Sequence, residues 1–417
     1  MIQTLLVSIA LLIITLISID TKNKKYALLS PPVMVNLFII LYTVIGFSLY
    51  WNGSYQLLNT DFSRTLDKIY SAINLFSILF TVAFLIFYNS KNQKSPLQAD
   101  DFFLNPKLVY AYSAVLTGYA VLNLFDIKIP AFHNLILIFF NSLTVIIGYA
   151  FVTQMRGSKI LTSLLVLLII YMGFRYRLIF LFIPMLFSFF IFRRMTLLQT
   201  LKYASILILA ITTISVVGVA RKYSEGLQLE KLEGVSYLDM IIIGLFNDTS
   251  TVFVSGAFID WVERTGSYAY SDQIYYILSY FIPSYFFEDK SYSPIFNYLS
   301  MMTGQSSNES GLAILGFAEY YHTAGYAGVA LFSLSFAFIY AKSFRKATIS
   351  NSIYYQYAYF SLLAWLVNSF TRGYLPQNTQ DLAAVLFGLF FIRKSSIKVS
   401  LARNNQNTKL ARSPNEK

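Results

Sequence analysis

The stretch "ILTSLLVLLIIYMGFRYRLIFLFIPMLFSFFIF", from Ile160 to Phe192, decides the fold. It contains 33 residues, and only Arg175 and Arg177 among them are charged. A helix needs about 20 apolar residues to cross the hydrocarbon of a bilayer, so this stretch is too long for one crossing. The interruption at "GFRYR", Gly173 to Arg177, therefore predicts two membrane-crossing helices joined by a very short turn.

The composition of the whole chain supports the same class. The chain has 417 residues, of which 56% are hydrophobic and 12% charged, and its mean hydropathy is +0.57. A soluble domain of this length could not cover so much apolar surface, so the composition predicts an all-α polytopic membrane protein. The chain has no cysteine, which excludes disulfides, thiolate chemistry and cysteine-based metal sites.

The apolar runs predict about eleven transmembrane helices. Their expected positions are Ile2–Ile19, Pro32–Trp51, Ile69–Tyr88, Leu108–Phe125, Asn134–Met155, Ile160–Met172, Leu178–Phe192, Tyr203–Ala220, Ala324–Ala341, Ile353–Phe370 and Leu382–Ile392. The first run has no basic residues before it and no clear cleavage site, so we expect it to be retained as a helix.

The basic residues predict the orientation. Loops on one side of the predicted membrane, together with the C-terminal tail, hold 21 of the 32 Lys and Arg residues. Because the side richer in Lys and Arg is cytoplasmic, the N-terminus is predicted to face outward and the C-terminus inward. The net charge of +12 is then mainly a signal of topology, and no nucleic-acid partner is expected.

These assignments divide the chain into four parts. Residues 1–220 form predicted transmembrane helices 1–8, residues 221–312 one large outer loop, residues 313–392 helices 9–11, and residues 393–417 a cytoplasmic tail. The loop holds 11 of the 20 acidic residues. Its apolar pieces Met240–Phe246 and Gln273–Phe287 are too short or interrupted for confident spans. We expect them to form short helices that lie on the membrane or cap a cavity.

Four arginines lie on the outer side, where short loops should be poor in arginine. They are Arg175, Arg177, Arg221 and Arg372. The planar guanidinium group donates paired hydrogen bonds to phosphoryl oxygens, so arginines at a lipid–water boundary are good ligands for a diphosphate. The alternative is that each arginine extends to lipid headgroups without a specific ligand.

An acid and a histidine lie in "GFAEYYHTAGYAGV", Gly316 to Val329. Glu319 and His322 are three residues apart and would share one face of a short helix. Either side chain could act as a general base toward a hydroxyl. The structural alternative is a helix-terminal acid paired with another polar group and an interfacial histidine. Gly325 and Gly328 permit a tight turn or close packing where the next span begins.

Common catalytic motifs are absent from the sequence. It has no HExxH, no phosphate-binding GxxxxGK[ST], no convincing GxSxG and no dinucleotide-binding glycine pattern. With two distant histidines and no cysteine, a structural zinc site is not expected.

The order of these features resembles the O-antigen and capsule repeat-unit polymerases of the Wzy type. The similar parts are "GFRYRLIF", the long loop that starts at "ARKYSEG", "GFAEYYHTAGYAGV", and "TRGYLPQ" before the last span. Some members have a glycine eleven positions after the loop arginine, whereas the glycines after Arg221 are Gly226 and Gly234.

The resemblance implies a multi-pass glycosyltransferase of the bacterial inner membrane that works at its periplasmic face. It would transfer a growing glycan from its polyprenyl diphosphate onto a hydroxyl of a new lipid-linked repeat unit. The arginines would then bind the diphosphate, and Glu319, or His322 in its place, would accept the hydroxyl proton. The expected partners are polyprenyl diphosphate-linked glycans, the bilayer, a chain-length regulator and a repeat-unit flippase. No metal and no cofactor are expected.

Two other functions remain open from the sequence. An O-antigen ligase would use the same lipid diphosphate donor with a different acceptor. A flippase or other transporter of lipid-linked units would usually show internal repeats and polar residues within its spans, and we find no such repeat.

Overall fold

The structure of the protein is a computed structural model. It describes residues 1–19, 24–48, 65–89, 102–124, 133–171, 175–192, 247–282, 313–350 and 352–398, with some short pieces and single residues between these ranges. The predicted eighth span, the apolar piece Met240–Phe246 and the end of the tail lie mainly or wholly outside the described residues.

The described residues form a bundle of helices. In chain order these are α1 (Ile2–Ser18), α2 (Lys24–Leu28), α3 (Pro31–Phe38, continued by a π-helix at Ile39–Gly46), α4 (Leu66–Asn89), α5 (Pro106–Leu124), α6 (His133–Val152), α7 (Ser158–Tyr171), α8 (Arg175–Phe192), α9 (Thr251–Thr265, preceded by a 3₁₀ turn at Asn247–Ser250), α10 (Asp272–Phe281), α11 (Gly316–Ile349), α12 (Ile353–Thr371) and α13 (Leu375–Ser395). The prediction of an all-α fold is confirmed.

The strands are limited to three short antiparallel pairs in the described chain. They are β1 (Gln56–Leu57) with β2 (Thr60–Asp61), β3 (Phe102–Leu104) with β6 (Ser396–Lys398), and β4 (Arg221–Lys222) with β5 (Gly226–Leu227). The β3–β6 pair joins the segment before α5 to the end of α13.

Two of the described helices are long and apolar enough to cross a membrane. They are α4, with 24 residues and a mean hydropathy of 2.1, and α11, with 34 residues and a mean hydropathy of 1.6. Five shorter apolar helical segments accompany them in the described chain: Ile2–Ser18, Pro31–Gly46, Ile138–Val152, Ser158–Ile170 and Arg177–Ile191.

Contacts join one set of helix ends on one side of the bundle. Arg345 in α11 donates hydrogen bonds to the carbonyls of Phe87 and Tyr88 at the end of α4, at 2.8 Å for Phe87. Tyr149 in α6 donates to the carbonyl of Phe102 at 2.8 Å. We call this side the basic end, because the predicted Lys- and Arg-rich loops leave from it.

The opposite helix ends meet on the other side, which we call the site end. Lys68 at the start of α4 pairs with Asp260 of α9 at 2.7 Å. The backbone N–H of Leu315, just before α11, donates to the hydroxyl of Ser255 in α9 at 2.7 Å. Gly373, between α12 and α13, donates its backbone N–H to the carbonyl of Ile314 at 2.7 Å.

An aromatic cluster fills the core beneath the site end. The ring of Phe76 in α4 lies 5.2 Å from Phe317, 5.3 Å from Phe370 and 5.8 Å from Tyr320, centroid to centroid. These spacings are those of favourable aromatic pairs, and the four rings are fully buried. The cluster therefore joins α4 and α12 to the first turns of α11.

The large predicted loop contributes helices to the bundle. α9 was not anticipated from the sequence, although ten of its residues are buried against its neighbours. α10 confirms the helix expected within Gln273–Phe287. Its Gln273 is buried, whereas Ile274 and Leu278 are 63% and 61% exposed.

A break divides α11 into two pieces. Ala324 and Gly325 have non-helical backbone angles, and Gly325 has φ of 63° and ψ of −146°, a combination essentially restricted to glycine. The piece after the break, residues 326–349, is roughly 36 Å long at 1.5 Å per residue, which suits one crossing of a core about 30 Å thick. The predicted span began at Ala324, where the break occurs. The preceding piece, with Glu319 and His322, is separate.

The break gives a stability prediction. Gly325→Ala should lower the unfolding free energy by about 1–3 kcal/mol, because a Cβ strains this conformation. Gly328→Ala should also destabilise, since its Cβ would lie 2.3 Å from the carbonyl oxygen of Tyr320. Thermal unfolding of the purified protein in detergent measures both effects.

Gly118→Ala is the matched control, because nothing lies within 4 Å of a Cβ at this position in α5. Alanine is the better helix former there and should be neutral or stabilising. Equal unfolding temperatures for Gly325→Ala and Gly118→Ala would contradict the assigned break.

Candidate functional site

The site is built on a close backbone contact, which we call the seam, between residues 314–316 and 369–373. Besides the Gly373–Ile314 hydrogen bond, a Cβ on Gly316 would lie 2.3 Å from the carbonyl oxygen of Ser369. A Cβ on Gly373 would lie 2.3 Å from the carbonyl oxygen of Leu315. Only glycine allows the two segments to approach so closely. The seam brings the start of α11 against the turn that carries Arg372.

Glu319 lies beside this turn and is fully buried. Its Oε1 atom accepts a hydrogen bond from Nε2 of Gln273 at 3.0 Å and one from the backbone N–H of Leu375 at 3.4 Å. Leu375 is the first residue of α13, so the carboxyl lies at the positive end of that helix. Glu319 thereby joins α11, α10 and α13.

The second carboxyl oxygen of Glu319 is different. Oε2 is buried and has no hydrogen-bond partner among the described residues, and the same holds for Oε1 of Gln273. A buried acceptor without a donor is costly, so this arrangement is not explained by helix capping alone. Oε2 of Glu319 is therefore able to accept a proton, or a hydrogen bond from a hydroxyl group.

His322 is also fully buried but lies against other elements. Its ring centroid is 5.3 Å from that of Phe258 in α9, and its carbonyl accepts the N–H of Ala269 at 2.9 Å. Neither ring nitrogen has a described hydrogen-bond partner within 3.5 Å, and the nearby polar group is the backbone of Ser267. His322 therefore faces the α9 side, whereas Glu319 faces α13.

Arg177 and Arg372 both lie near a carboxyl that was not singled out in the sequence, Asp381 of α13. The charges of both arginines act on this carboxyl. Arg177 is 2% exposed and lies over the ring of Phe140 at 5.1 Å. Arg372 is partly exposed at the turn before α13.

Two amides complete the surroundings of Asp381. Asn141 in α6 donates to Oδ1 at 3.1 Å, and Asn368 in α12 donates to Oδ2 at 3.4 Å. Asp381 itself is 3% exposed. Two arginines accompany a single carboxyl here, so the cluster carries a net positive charge, as an anion-binding site requires.

The structure thus brings together some of the predicted site residues. Arg177 and Arg372 share Asp381, and Glu319 borders the same helix. Arg175 is the first residue of α8 and Arg221 lies in β4, but their side chains lie outside the described residues. Glu319 and His322 lie three residues apart in the helical piece before the break, as expected, but Glu319 contacts Gln273 and Leu375 whereas His322 contacts Phe258.

Sequence reasoning missed Asp381, Asn141, Asn368 and Gln273. A signal for Asp381 was present, since it lies four residues after "TRGYLPQ" and is the only acid between Glu319 and Glu416. Asn141 and Asn368 are polar residues within apolar runs, which is itself a functional signal in membrane helices. Nothing in the sequence pointed to Gln273, because its hydrogen bond to Glu319 depends on how α10 packs.

A chain of polar contacts holds α9 against the site. Nζ of Lys68 lies 2.5 Å from Oε2 of Glu263, and Tyr321 donates to Oε1 of Glu263 at 2.7 Å. Burial acts to raise the pKa of Glu263, but the hydrogen bonds from Lys68 and Tyr321 and the charge of Lys68 outweigh it. The pKa of Glu263 therefore lies below its ordinary value of 4.5.

No family model, curated protein or solved structure matches this chain. In the part of the chain that the structure describes, no three His, Asp or Glu side chains gather as a metal site would require.

The Glu263 contacts predict a pH dependence. Because the folded-state pKa is lowered, the contribution of Glu263 to stability is present above pH 4.5 and is lost as pH falls through the folded-state value. Lys68→Met should remove that contribution, which is under about 1 kcal/mol for a partly exposed pair. The unfolding temperature of the variant should therefore approach that of wild type as pH is lowered below 4.5.

Lys342→Met is the control, since Lys342 is an exposed lysine at the basic end with no ion pair shown among the described residues. It should follow the wild-type pH profile. A difference between Lys68→Met and wild type that stays constant down to pH 3 would contradict the assignment to Glu263.

Proposed function

We propose that the protein polymerises polyprenyl diphosphate-linked oligosaccharide repeat units into a long surface polysaccharide. The observation that carries the proposal is that Arg177, Arg372 and Glu319 all border the first two turns of α13. A cationic group for a leaving diphosphate and a carboxyl for an incoming hydroxyl are the two parts that this transfer needs. The order of features that resembles repeat-unit polymerases supports the same reaction.

The proposed step is a substitution at the anomeric carbon of the donor glycan. A hydroxyl oxygen of the acceptor sugar forms the new glycosidic bond, while the bond from the anomeric carbon to the diphosphate oxygen breaks. The electron pair of that bond leaves with the polyprenyl diphosphate, whose added charge the arginines stabilise. The hydroxyl proton passes to Glu319, which its position beside the turn of Arg372 favours over His322.

Glu319 is fully buried, so a sugar hydroxyl can reach it only if a covering element moves. α10 covers it through Gln273 and has few other buried side chains. The exposed apolar face of α10 suits the membrane surface expected for this segment. Displacement of α10 by an arriving lipid-linked glycan would expose the carboxyl when its substrate is present.

The proposed setting is the bacterial inner membrane, crossed about eleven times, with the site end in the periplasm. Ten of the eleven predicted spans coincide with described helices. The contacts group the helix ends as the Lys and Arg distribution requires, with Arg345 at one end and Lys68 at the other. This grouping supports a multi-pass arrangement.

The absence of cysteine allows a clean test of this topology. A cysteine at Tyr270, which is 62% exposed at the site end, should react with a membrane-impermeant maleimide in cells whose outer membrane has been permeabilised. A cysteine at Lys342 should react only after lysis. The reverse pattern would overturn the orientation, and labelling of both would contradict the crossing between them.

The site residues give the functional prediction. In a deletion strain, Arg372→Ala and Glu319→Gln should each abolish long-chain glycan at normal protein levels, because they remove the diphosphate ligand and the base. Arg372→Lys should restore only part of the long-chain glycan, since the lysine ammonium cannot make the paired, planar hydrogen bonds that a guanidinium makes to two phosphoryl oxygens. His322→Ala should retain more polymer than Glu319→Gln, and the opposite order would exchange their roles.

The deletion strain itself separates the alternatives. Loss of a polymerase leaves the acceptor capped with a single repeat unit. A bare acceptor core would instead identify a ligase, and repeat units retained on the cytoplasmic face would identify a flippase. Either result would refute the proposal.

A further inference from the structure

We infer that Asp381 is a positioning residue that holds the turn of Arg372 through Asn368, and that Arg372 contacts the diphosphate while the buried Arg177 adds positive charge behind it. This inference rests on the proposed function. It gives different roles to Arg177 and Arg372, which the sequence analysis predicted to bind the diphosphate together.

Burial separates the two arginines. Arg177 is 2% exposed, and its guanidinium lies over the ring of Phe140, so it is enclosed by α6 and α8. Arg372 is partly exposed and lies in the turn before α13. A lipid-linked diphosphate arriving at the site end can therefore reach Arg372 without rearrangement of the helix core, whereas it cannot reach Arg177.

The turn that carries Arg372 is itself fixed. Nδ2 of Asn378 donates to the carbonyl of Arg372 at 2.6 Å, and the backbone N–H of Arg372 donates to the carbonyl of Asn368 at 3.2 Å. Asn368 also donates its side chain to Asp381. The backbone of the arginine and the carboxylate that acts on its charge are thus held by the same asparagine.

The charge of Asp381 argues for positioning rather than binding. A carboxylate close to an anion site repels the anion, so its presence weakens the attraction for a diphosphate. It is nevertheless held by amides from two helices, Asn141 and Asn368, with one donor to each oxygen. A buried carboxylate that lowers the affinity for an anion but bonds to amides of two helices is best explained by what it positions.

Substitution of Asp381 should leave diphosphate binding intact but impair polymerisation. Asp381→Asn keeps the shape of the side chain but replaces one oxygen with an NH2 group, so Asn141 or Asn368 loses its acceptor and the turn of Arg372 loses part of its support. The affinity of the purified full-length protein for farnesyl diphosphate should stay within about threefold of wild type or tighten, because a repulsive charge is lost. The long-chain glycan made by this variant in the deletion strain should fall at least tenfold at equal protein level.

Substitution of Arg372 should instead weaken diphosphate binding. Arg372→Ala should weaken farnesyl diphosphate binding by about tenfold or more, the scale of a lost charge-assisted hydrogen bond. Farnesol, which lacks the diphosphate, should bind the wild type and Arg372→Ala equally. Wild-type glycan from Asp381→Asn, or a loss of diphosphate affinity as large as that of Arg372→Ala, would overturn the positioning role.

A second variant keeps the test decisive if Asp381→Asn does not fold. Asn141→Ala removes one amide from Asp381 and should reduce the glycan ladder while diphosphate affinity is retained. Asn36→Ala is its control: Asn36 is a fully buried amide bonded to Ser77 and to the carbonyl of Pro32, away from the cluster. An equal loss of ladder in both variants, after correction for protein level, would overturn the inference.

Failure of the proposed function looks different from failure of this inference. If the wild type binds farnesyl diphosphate no better than farnesol and Arg372→Ala leaves the ladder intact, the polymerase proposal falls. If Arg372→Ala behaves as predicted and Asp381→Asn matches wild type in both measurements, only the role of Asp381 falls.

Discussion

The structure depends on the seam between residues 314–316 and 369–373. The hydrogen bond from Gly373 to Ile314 and the absence of side chains at Gly316 and Gly373 let two backbones touch that are over 50 residues apart in sequence. Three features of the site follow from this contact. It places Glu319 at the start of α13, sets the turn of Arg372 against α11, and stacks Phe317 on Phe370 at 4.8 Å. A larger residue in place of Gly316 or Gly373 would move Glu319 away from Arg372.

The site end combines rigid and displaceable parts. The aromatic cluster around Phe76 and the amides around Asp381 are buried among long helices, which suits groups that must hold their geometry. α10 is a short helix with an exposed apolar face, and it covers Glu319 through one glutamine. The free Oε2 of Glu319 and the free Oε1 of Gln273 lie between these two parts. Buried acceptors at such a boundary fit a site that receives a hydroxyl-bearing ligand.

Much of the helical layout was predictable from the sequence, because long apolar runs favour helices whose approximate bounds follow from length and hydropathy. The break at Gly325 was also readable, since glycines directly before an apolar run favour a turn at the point where the span begins. The separation of Glu319 from His322 was not, because three-residue spacing places them on one helix face but does not say which helices pack there. Asp381, Asn141 and Asn368 come from three helices, and their meeting depends on packing that one sequence does not specify. α9 was not predicted, because it lies within the acidic segment 221–312, which the sequence analysis assigned to an outer loop. Its apolar residues pack against α4.

Reconstitution in liposomes shows whether the protein alone joins lipid-linked repeat units. The purified protein in liposomes would be given synthetic polyprenyl diphosphate-linked repeat units and no other protein or nucleotide. The account predicts a ladder of lipid-linked oligomers and one free polyprenyl diphosphate for each new glycosidic bond, with neither product from Arg372→Ala. Active wild-type preparations that leave the lipid-linked units unchanged, or that move them across the bilayer without joining them, would contradict it.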